Sequence, residues 1–350
     1  MTEPDIARAP RGRPATIGEV ATLARVSRTT VSHALNGKGS VAPATRERVI
    51  EAARQLDYRP SRAARALRTR RTGTLAFVMP AFDSAPAPER RSLSVDVYMT
   101  HAVAAAHAAF ARDHALLLVP PTACEPQFIA AGIDGGIVCD PWRDDETVAL
   151  FERLGRPVVT IERVLGRPGF EWFVSADNEA TTHRLLEHMA DAGAARIAFL
   201  TVEFPIAWAS DCLEAYLAWC AGRGREPLVV PADPHSPGRD AYARTCALLD
   251  GPNPPDAILA SDERHPAGVL RAAAERGVGV PERLMVATGI DSHEAREASP
   301  PVTAIDIKPG LQGAVAAEML IARLEGEPCA GPRFTPAELH VRASTRRRGP

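Results

Sequence analysis

The chain has 350 residues, of which 45% are hydrophobic, 24% charged and 5% aromatic. This ordinary globular composition excludes whole-chain disorder, collagen and coiled coil, and the length is typical of about two domains. The uncharged runs are much shorter than the ~18 apolar residues of a membrane span. Met1–Arg13 lacks the apolar core of a secretion signal. These features predict a cytoplasmic protein that does not enter a membrane.

The cysteines predict neither a disulfide framework nor a metal site. They are Cys124, Cys139, Cys212, Cys220, Cys246 and Cys329. No two of them form a C-x-x-C pair and no histidine cluster flanks them, so we expect buried or idle thiols in a cytosolic chain. The phosphate-loop, nucleophile-elbow and zinc-protease motifs are also missing from the sequence. We therefore predict no cofactor, no metal and no enzymatic activity.

Charge is distributed unevenly along the chain. Residues 1–71 contain 15 Lys and Arg against 6 Asp and Glu, a net charge of +9. The remaining 279 residues hold 26 basic and 37 acidic side chains, a net charge of −11. A basic segment joined to an acidic body is typical of a polyanion-binding module, because basic side chains release counterions when they bind phosphates. The alternative is a solvated, arginine-rich surface, and charge alone does not decide between them.

The basic segment carries the pattern of three helices. A capping-box sequence begins the first helix at Thr16, and Ser27 is a good N-cap for a second helix from Arg28 to Asn36. Pro43 starts a third helix, in which apolar residues recur at helical spacing. The first two helices are joined by a short turn. The sequence therefore predicts a helix-turn-helix domain over 15–60.

The second helix has residue types suited to the DNA major groove, where the N-terminal residues of a recognition helix reach base edges. Arg28 can form a bidentate contact with guanine, Thr29 offers a hydroxyl and a methyl, and His33 can donate to a base or a phosphate. The alternative is a generic three-helix core with a polar outer face.

A longer pattern resembles the headpiece of the lactose-repressor (LacI) family. It consists of TIGEVA from Thr16 and VSRTTVSHALNG from Val26, continued by TRERV at 45–49 and LDYRP at 56–60. The segment SRAARALR at 61–68 is similar to the hinge helix of that family. The resemblance extends over about residues 15–345. It implies a transcriptional regulator, which we expect to be a homodimer that binds a palindromic operator in double-stranded DNA and represses catabolic or transport genes.

The resemblance implies that Leu67 of the hinge enters the minor groove at the operator centre. Such wedging costs a few kcal/mol of unstacking, which extra contacts recover. We predict a hinge over 61–72 that folds only on DNA beside a partner hinge, because eight residues make an isolated helix unstable. The alternative is a basic linker with Leu67 packed on the body. The predicted DNA contacts are Thr16, Ser27, Arg28, Thr29, Thr30, Ser32, His33, Asn36, Arg65, Leu67 and Arg68.

Some positions in and before the headpiece depart from the family pattern or leave its role open. A disordered basic tail is predicted over 1–14, although its Arg11–Pro14 stretch also suits a narrow A·T minor groove.

Arg25 stands where a glycine usually makes the first turn, Ala42 stands where a serine usually caps the third helix, and His33 stands where arginine is common. These departures weaken the inference of an operator sequence and leave the module intact.

After residue 72, strand and helix signals alternate in two series, from Thr74 to Ile161 and from Asn178 to Thr288. Such alternation indicates parallel sheets covered on both faces. We therefore predict two parallel-sheet α/β subdomains behind a small all-α headpiece. The body resembles the periplasmic-binding-protein-like sensor of the LacI family, which implies three chain crossings between two lobes. That resemblance gives an effector-binding and dimerisation domain over 73–345, with lobe one at about 73–162 and 305–330 and lobe two at about 163–304 and 331–345.

Residues on the loops after strands are candidates for binding a small-molecule effector, which we expect to be a sugar or sugar-like metabolite. Glu162 and Asp291 match acidic positions that hold ligand hydroxyls in sugar-sensing relatives, and the face of Trp208 suits stacking on a sugar. The remaining candidates are Phe82, Asp83, Trp142, Cys212, Asp262 and Arg264. For each of them the alternative is an N-cap, a surface charge or a packing aromatic.

One departure bears directly on the effector. Cys212 stands where many family members carry an arginine that forks onto sugar hydroxyls, and a thiol lacks the five donors of a guanidinium. Three interpretations stay open: the ligand is not an ordinary sugar, Arg264 replaces the missing arginine, or no effector binds. For the whole chain, the alternative function is a small-molecule sensor that has lost specific DNA binding.

Two substitutions distinguish base reading from minor-groove wedging. Arg28→Ala should relax the base preference at one operator position and weaken cognate binding by about 1–3 kcal/mol. Leu67→Ala should weaken specific binding more than non-specific binding, because bending is needed only on the operator. Mobility shifts on a symmetrical site and on scrambled DNA measure both effects. Equal losses on the two DNAs for both variants would contradict the mechanism.

Overall fold

The computed structural model describes residues 15–35, 41–58, 71–80, 95–120, 124–202, 204–233, 236–328 and 330–346. The chain divides into two units, Met1–Thr72 and Gly73–Pro350, which we call the headpiece and the body. The predicted tail and most of the predicted hinge lie outside the described residues, as do Asn36, Arg65, Leu67, Arg68, Phe82 and Asp83. Among the helices of the described ranges, none combines the length and apolar character needed to cross a membrane.

In its described residues, the headpiece contains α1 (Ile17–Ala24), α2 (Arg28–Leu35) and α3 (Pro43–Gln55). Each helix contributes one fully buried valine to a common core, namely Val20, Val31 and Val49. Alanines from all three helices fill the rest of this core, and their small side chains let the helices approach closely. The structure therefore confirms the all-α helix-turn-helix fold predicted from the sequence.

The helix ends of the headpiece include one complete capping box and the two departures from the family pattern, Arg25 and Ala42. At the start of α1, the backbone N–H of Thr16 donates to Glu19 Oε2 at 2.6 Å, and the N–H of Glu19 donates to Thr16 Oγ1 at 3.3 Å, which closes the capping box. Arg25 ends α1 in the left-handed conformation, with φ 54° and ψ 47°, where a side chain costs about 1–2 kcal/mol. Ala42 precedes α3 without a side-chain cap.

The first sheet of the body is parallel throughout. Its strands are β1 (Thr74–Val78), β2 (Ala115–Val119), β3 (Ile133–Cys139), β4 (Val158–Ile161), β5 (Phe173–Ala176) and β11 (Arg333–Thr335). They lie in the order β11-β5-β4-β3-β1-β2. One face is covered by α4 (Val95–Ala111) and α12 (Pro309–Glu325), and the other by α5 (Glu125–Ala130) and α6 (Glu146–Arg153). The central strand β3 is buried along its length, as a strand covered on both faces must be.

The second sheet has the same plan with one antiparallel edge. Its strands are β6 (Ile197–Val202), β7 (Leu228–Ala232), β8 (Ala257–Ala260), β9 (Met285–Thr288), β10 (Thr303–Asp306) and β12 (Glu338–His340). They lie in the order β12-β10-β9-β8-β6-β7, with β12 antiparallel to β10. One face packs against α7 (Asn178–Asp191) and α8 (Ala207–Gly222), and the other against α9 (Pro237–Asp250), α10 (His265–Glu275) and α11 (His293–Glu297). A 3₁₀ turn at Ala343–Thr345 follows β12.

Strands β5 and β11 lie in lobe one, although the sequence predicted them in lobe two. The expected lobe two included 163–304 and 331–345, but β5 pairs with β4, and β11 pairs with β5, both in the first sheet. Strands of three or four residues carry too little pattern to be placed, and their parallel partners decide their lobe. The chain therefore passes between the lobes after Ala176, after Asp306 and after Thr335.

A glycine fixes the distance between two helices of the first lobe. Helix α12 packs so closely on α4 that a Cβ atom at Gly313 would lie 2.1 Å from the backbone oxygen of His101. Alanines on both helices line the rest of this contact. A side chain at Gly313 would therefore meet backbone, which cannot rotate away.

We expect Gly313→Ala to destabilise the body by about 1–3 kcal/mol, because the added methyl must push α12 away from α4. Urea unfolding followed by tryptophan fluorescence measures this, since all 4 tryptophans lie after residue 73. Gly169→Ala is the matched control, because a Cβ there meets nothing within 4 Å, and it should change stability by less than about 0.5 kcal/mol. Equal stability of the two variants would contradict this prediction, since it would mean that α12 can move away from α4 at no cost.

Candidate functional site

The headpiece presents the first turns of α2 as a polar surface. Ser27 caps this helix, because the N–H of Thr30 donates to Ser27 Oγ at 3.0 Å and the two hydroxyls lie 2.8 Å apart. Arg28, Thr29 and His33 are exposed, whereas Val31 and Ala34 on the same helix are buried. The exposed side chains are those predicted to reach DNA bases, and the buried ones hold the helix against the headpiece core.

Two of the predicted DNA contacts also have local structural partners. The hydroxyl of Thr16 donates to Glu19 Oε2 at 2.8 Å as part of the capping arrangement. The guanidinium of Arg28 lies beside the start of α1, where a Cβ at Gly18 would be 3.2 Å from its Nη2. Gly18 therefore leaves room for the Arg28 side chain.

A second candidate site lies in the body, between its two lobes. It encloses about 670 Å³ of empty space, part of it open to solvent. Sheet one contributes Asp140 after β3 and Glu162 after β4, and sheet two contributes Asp262 after β8. Because parallel strands end at one edge of their sheet, these residues meet in the cleft. We call this space the cleft.

Glu162 is the most deeply buried acid on the first-lobe side of the cleft. The hydroxyl of Ser175 and the amide of Asn178 both donate to its Oε2 atom at 2.8 Å. Burial, together with the nearby charge of Asp140, raises the pKa of Glu162 to about 8. The backbone of Glu162 is left-handed, with φ 74°. A carboxyl group in this setting is largely protonated at neutral pH.

Asp140 forms the second acidic group, together with a tyrosine from α4. The hydroxyl of Tyr98 donates to Asp140 Oδ2. Burial raises the pKa of Asp140 to about 6, although the hydrogen bond from Tyr98 opposes the rise. Burial and the charge of Asp140 also raise the pKa of Tyr98 well above its ordinary value. Tyr98 is therefore a hydrogen-bond donor at physiological pH.

On the second-lobe side, Asp262 and Arg264 form a pair. Arg264 Nε donates to Asp262 Oδ1 at 2.7 Å, its Nη2 donates to Oδ2, and its backbone N–H donates to Oδ1 at 2.9 Å. Burial opposes ionisation of Asp262, but the hydrogen bonds from Arg264 outweigh it and hold the pKa of Asp262 below its usual range. The fork of Arg264 is thus occupied by a neighbouring side chain.

A histidine and a glutamine complete the first-lobe side. His101 on α4 and Gln312 on α12 are buried, and His101 Nε2 lies 2.8 Å from Gln312 Oε1. Burial lowers the pKa of His101 to about 4, so the ring is neutral at pH 7. With Gln312 Oε1 as acceptor, the neutral ring carries its proton on Nε2, and Nδ1 is an acceptor.

The two lobes touch each other beside the cleft. The N–H of Arg143 after β3 donates to the carbonyl of Pro205 after β6 at 2.8 Å. Trp142 and Ile206 form an antiparallel bridge. The guanidinium of Arg163 forms an ion pair with Asp211 on α8. These contacts join the two lobes directly.

Comparisons with known proteins agree with both units. A family described as bacterial regulatory proteins, lacI family, matches residues 16–61, and a periplasmic binding protein-like domain matches residues 186–345. The HTH-type transcriptional regulator CelR of Thermobifida fusca is 31% identical over 328 residues, which cover 91% of this chain and 94% of CelR. This chain belongs to the lacI family. It is therefore a DNA-binding transcriptional regulator.

Other members of the lacI family are similar over nearly the whole chain. The ribose operon repressor of Halalkalibacterium halodurans is 27% identical over 338 residues, 95% of this chain and 97% of that repressor. A solved structure of a transcriptional regulator CelR–cellobiose complex is 27% identical with a TM-score of 0.68, over 95% of this chain and 100% of that one. The lac repressor dimer bound to operator and the anti-inducer ONPF is 22% identical with a TM-score of 0.74, over 95% and 99%, and this likeness shows the fold.

The structure places four of the predicted effector residues in the lining of the cleft, namely Glu162, Trp208, Asp262 and Arg264. It does not bring Asp291 there, because Arg342 binds that carboxylate with both Nη atoms at 2.8 and 2.9 Å and Arg296 donates to it at 3.0 Å. Ile290, the residue before it, lines the cleft instead.

Cys212 and Trp142 also lie outside the lining formed by the described residues. Cys212 packs in the core beside Tyr216 and Trp219, and burial raises the pKa of its thiol to about 12. Trp142 sits at the lobe contact with its ring 6.2 Å from that of Phe204, and it is 40% exposed. The position where an arginine was expected therefore belongs to the hydrophobic core in this protein.

Sequence reasoning missed several lining residues, among them Tyr98, His101, Asp140, Phe204, Glu263 and Gln312. Asp140 directly follows an apolar strand, which is the signal that selected Glu162. Tyr98 and His101 are three residues apart and so share one helix face. Nothing local marks Gln312, because its place depends on how α12 packs against α4.

The buried carboxyl of Glu162 should make the body less stable as the pH rises. Its pKa is about 8 in the folded protein and near 4.5 when exposed, so the folded state holds the extra proton between these values. Unfolding free energy should then fall by up to about 1.4 kcal/mol per pH unit until pH 8. Asp140, with a pKa of about 6, and the unfolded-state imidazole of His101, near 6.5, still titrate at the lower end of the window from pH 6.5 to 8. The contribution of Glu162 is therefore the difference in slope between wild type and a variant that lacks this carboxyl group.

Glu162→Gln should flatten this slope, since the amide resembles the protonated acid and does not titrate. Urea unfolding at several pH values, followed by tryptophan fluorescence, measures the slope. Glu214→Gln is the control, because Glu214 is exposed on α8 and should keep the wild-type slope. A slope that persists in Glu162→Gln would show that another group carries the proton.

Proposed function

We propose that this lacI-family regulator is a homodimeric repressor whose operator affinity is set by a sugar or sugar-like metabolite bound in the cleft. Two headpieces would bind inverted half-sites, with Arg28, Thr29 and His33 reading bases and Leu67 entering the minor groove. Two copies are needed because a palindromic site presents the same half-site twice.

The observation that carries this proposal is the presence, in one chain, of an exposed capped helix and an enclosed cleft between two lobes. The helix α2 shows its polar N-terminal side chains to solvent. The cleft lies at the carboxyl ends of two parallel sheets, the usual ligand position in such folds. A ligand that closes the lobes differently from the free protein shifts the DNA equilibrium, typically by 1–3 kcal/mol.

The relatives support a sugar-like effector and a role in gene control. A solved relative of this chain is a complex with cellobiose, and another relative is a ribose operon repressor. Glu162, Trp208 and Asp262 supply the carboxylates and the aromatic face that sugar sites use. We further infer that the protein acts in the cytoplasm, where its DNA is, and that it regulates without catalysing a reaction.

Selection of bound sequences from random DNA should recover a symmetrical site, and this experiment tests the DNA half of the proposal. Full-length protein should shift that site with at least about a hundredfold preference over scrambled competitor. Protein lacking residues 1–71 should lose the shift, because the basic segment is gone. Affinity should also fall steeply with salt, since phosphate contacts release counterions.

Arg28→Ala in full-length protein provides a matched comparison, because it leaves the body unchanged. It should lower the preference for the selected site and shift scrambled DNA almost as well as wild type does. Recovery of no symmetrical sequence at any ionic strength would instead favour a sensor that has lost specific DNA binding.

A further inference from the structure

The polar lining of the cleft has more carboxyl groups than basic side chains. Four carboxyl groups line it, those of Asp140, Glu162, Asp262 and Glu263. Among the described residues that line it, Arg264 is the one arginine, and lysine is missing from this set. Since Arg264 is bound to Asp262 through its Nε and Nη2 atoms, that pair is neutral as a unit. Asp140 and Glu162 have no such basic partner among the described residues of the lining.

Asp140 and Glu162 are the two acids best placed to receive a ligand. Neither forms an ion pair with a lysine or arginine of the described residues. Ser175 and Asn178 both donate to Oε2 of the Glu162 side chain, which leaves Oε1 without a donor among the described residues. Two neighbouring carboxyl groups in a buried site are costly to ionise unless a cation joins them.

A separate observation shows that the cleft is built to receive a polar ligand. His101 is 3% exposed and Gln312 is 1% exposed, and both line the cleft. His101 Nδ1 and Gln312 Nε2 have no hydrogen-bond partner among the described residues. Buried polar atoms normally have partners. Nδ1 needs a donor and Nε2 needs an acceptor, and the hydroxyl groups of a polyhydroxylated ligand can supply both roles.

Aromatic side chains line the same space. Tyr98, Phe204 and Trp208 come from α4, the loop after β6 and the start of α8. Aromatic faces attract cations through the ring quadrupole, by about 0.5–2 kcal/mol depending on desolvation. They also stack on sugar rings, so they suit a ligand that is both ring-shaped and positively charged.

We propose that the effector is a hydroxylated amine of the amino-sugar class, whose ammonium group binds between Asp140 and Glu162 and whose hydroxyl groups bond to His101 and Gln312. This inference rests on the proposed function, since it names the ligand class of the same cleft. The hydroxyl groups of a neutral sugar would donate hydrogen bonds to the acids, but a neutral sugar would bring no positive charge to balance them. The second acidic side chain therefore favours the amine over its neutral analogue.

The first experiment compares amines with their neutral analogues on full-length protein by titration calorimetry. The probes are D-glucosamine and its disaccharide, set against N-acetyl-D-glucosamine, D-glucose and cellobiose. At least one free amine should bind at least about tenfold more tightly than its neutral analogues. Equal or tighter binding of the neutral sugars, or no binding of either amine at about 10 mM, would overturn the proposal.

Substitutions then locate the amine. Asp140→Asn and Glu162→Gln should each weaken binding of the amine by at least about tenfold, while leaving any binding of the neutral analogue within about threefold, because the amide cannot ionise to pair with the ammonium group but still forms hydrogen bonds. Glu214→Gln removes an exposed charge from α8 outside the lining and should leave both affinities unchanged. Equal losses for amine and neutral sugar would show that the acids act on shape alone and would overturn the proposal.

The two proposals fail in different ways. If the protein selects a symmetrical DNA site but responds to neutral sugars alone, the regulator stands and the charged effector is wrong. If it binds the amine but selects no DNA sequence, the effector stands and the repressor is wrong. Mobility shifts of the selected site with and without D-glucosamine show which case holds.

Discussion

Parallel strands that end at a common sheet edge place the acidic groups of the cleft. β3 and β4 deliver Asp140 and Glu162 to the edge of the first sheet, and β8 delivers Asp262 to the edge of the second. The strands themselves are buried and mostly apolar, and the acids stand one or two residues beyond the strand ends. Acids in this position are desolvated, and their neighbours decide whether they ionise.

The fold was largely predictable, because it depends on patterns that repeat within a short stretch of chain. The capping box at Thr16, the N-cap Ser27 and the alternation of strands and helices identify the headpiece and both sheets. The lobe assignment of β5 and β11 was not predictable from pattern. A strand of three or four residues is placed by its partner across the sheet, and that partner is distant in sequence.

The site was predictable only in part, and for a similar reason. Glu162 and Asp262 follow strands and were found, whereas Gln312 depends on helix packing over more than two hundred residues. Similarity to relatives misplaced Asp291 and Cys212, because matching positions do not guarantee matching neighbours. Arg342 forms an ion pair with Asp291, and the thiol of Cys212 packs in the apolar core and does not line the cleft.

Helix α12 starts at one of the three places where the chain passes between the lobes, directly after Ile307 and Lys308. Gln312 lies in its opening turn and contacts His101, and Gly313 clamps the same turn to the α4 backbone. A ligand that bonds to Gln312 therefore contacts the start of α12, beside a crossing between the lobes, as well as the cleft walls. A small displacement of this turn would change the angle between the two lobes.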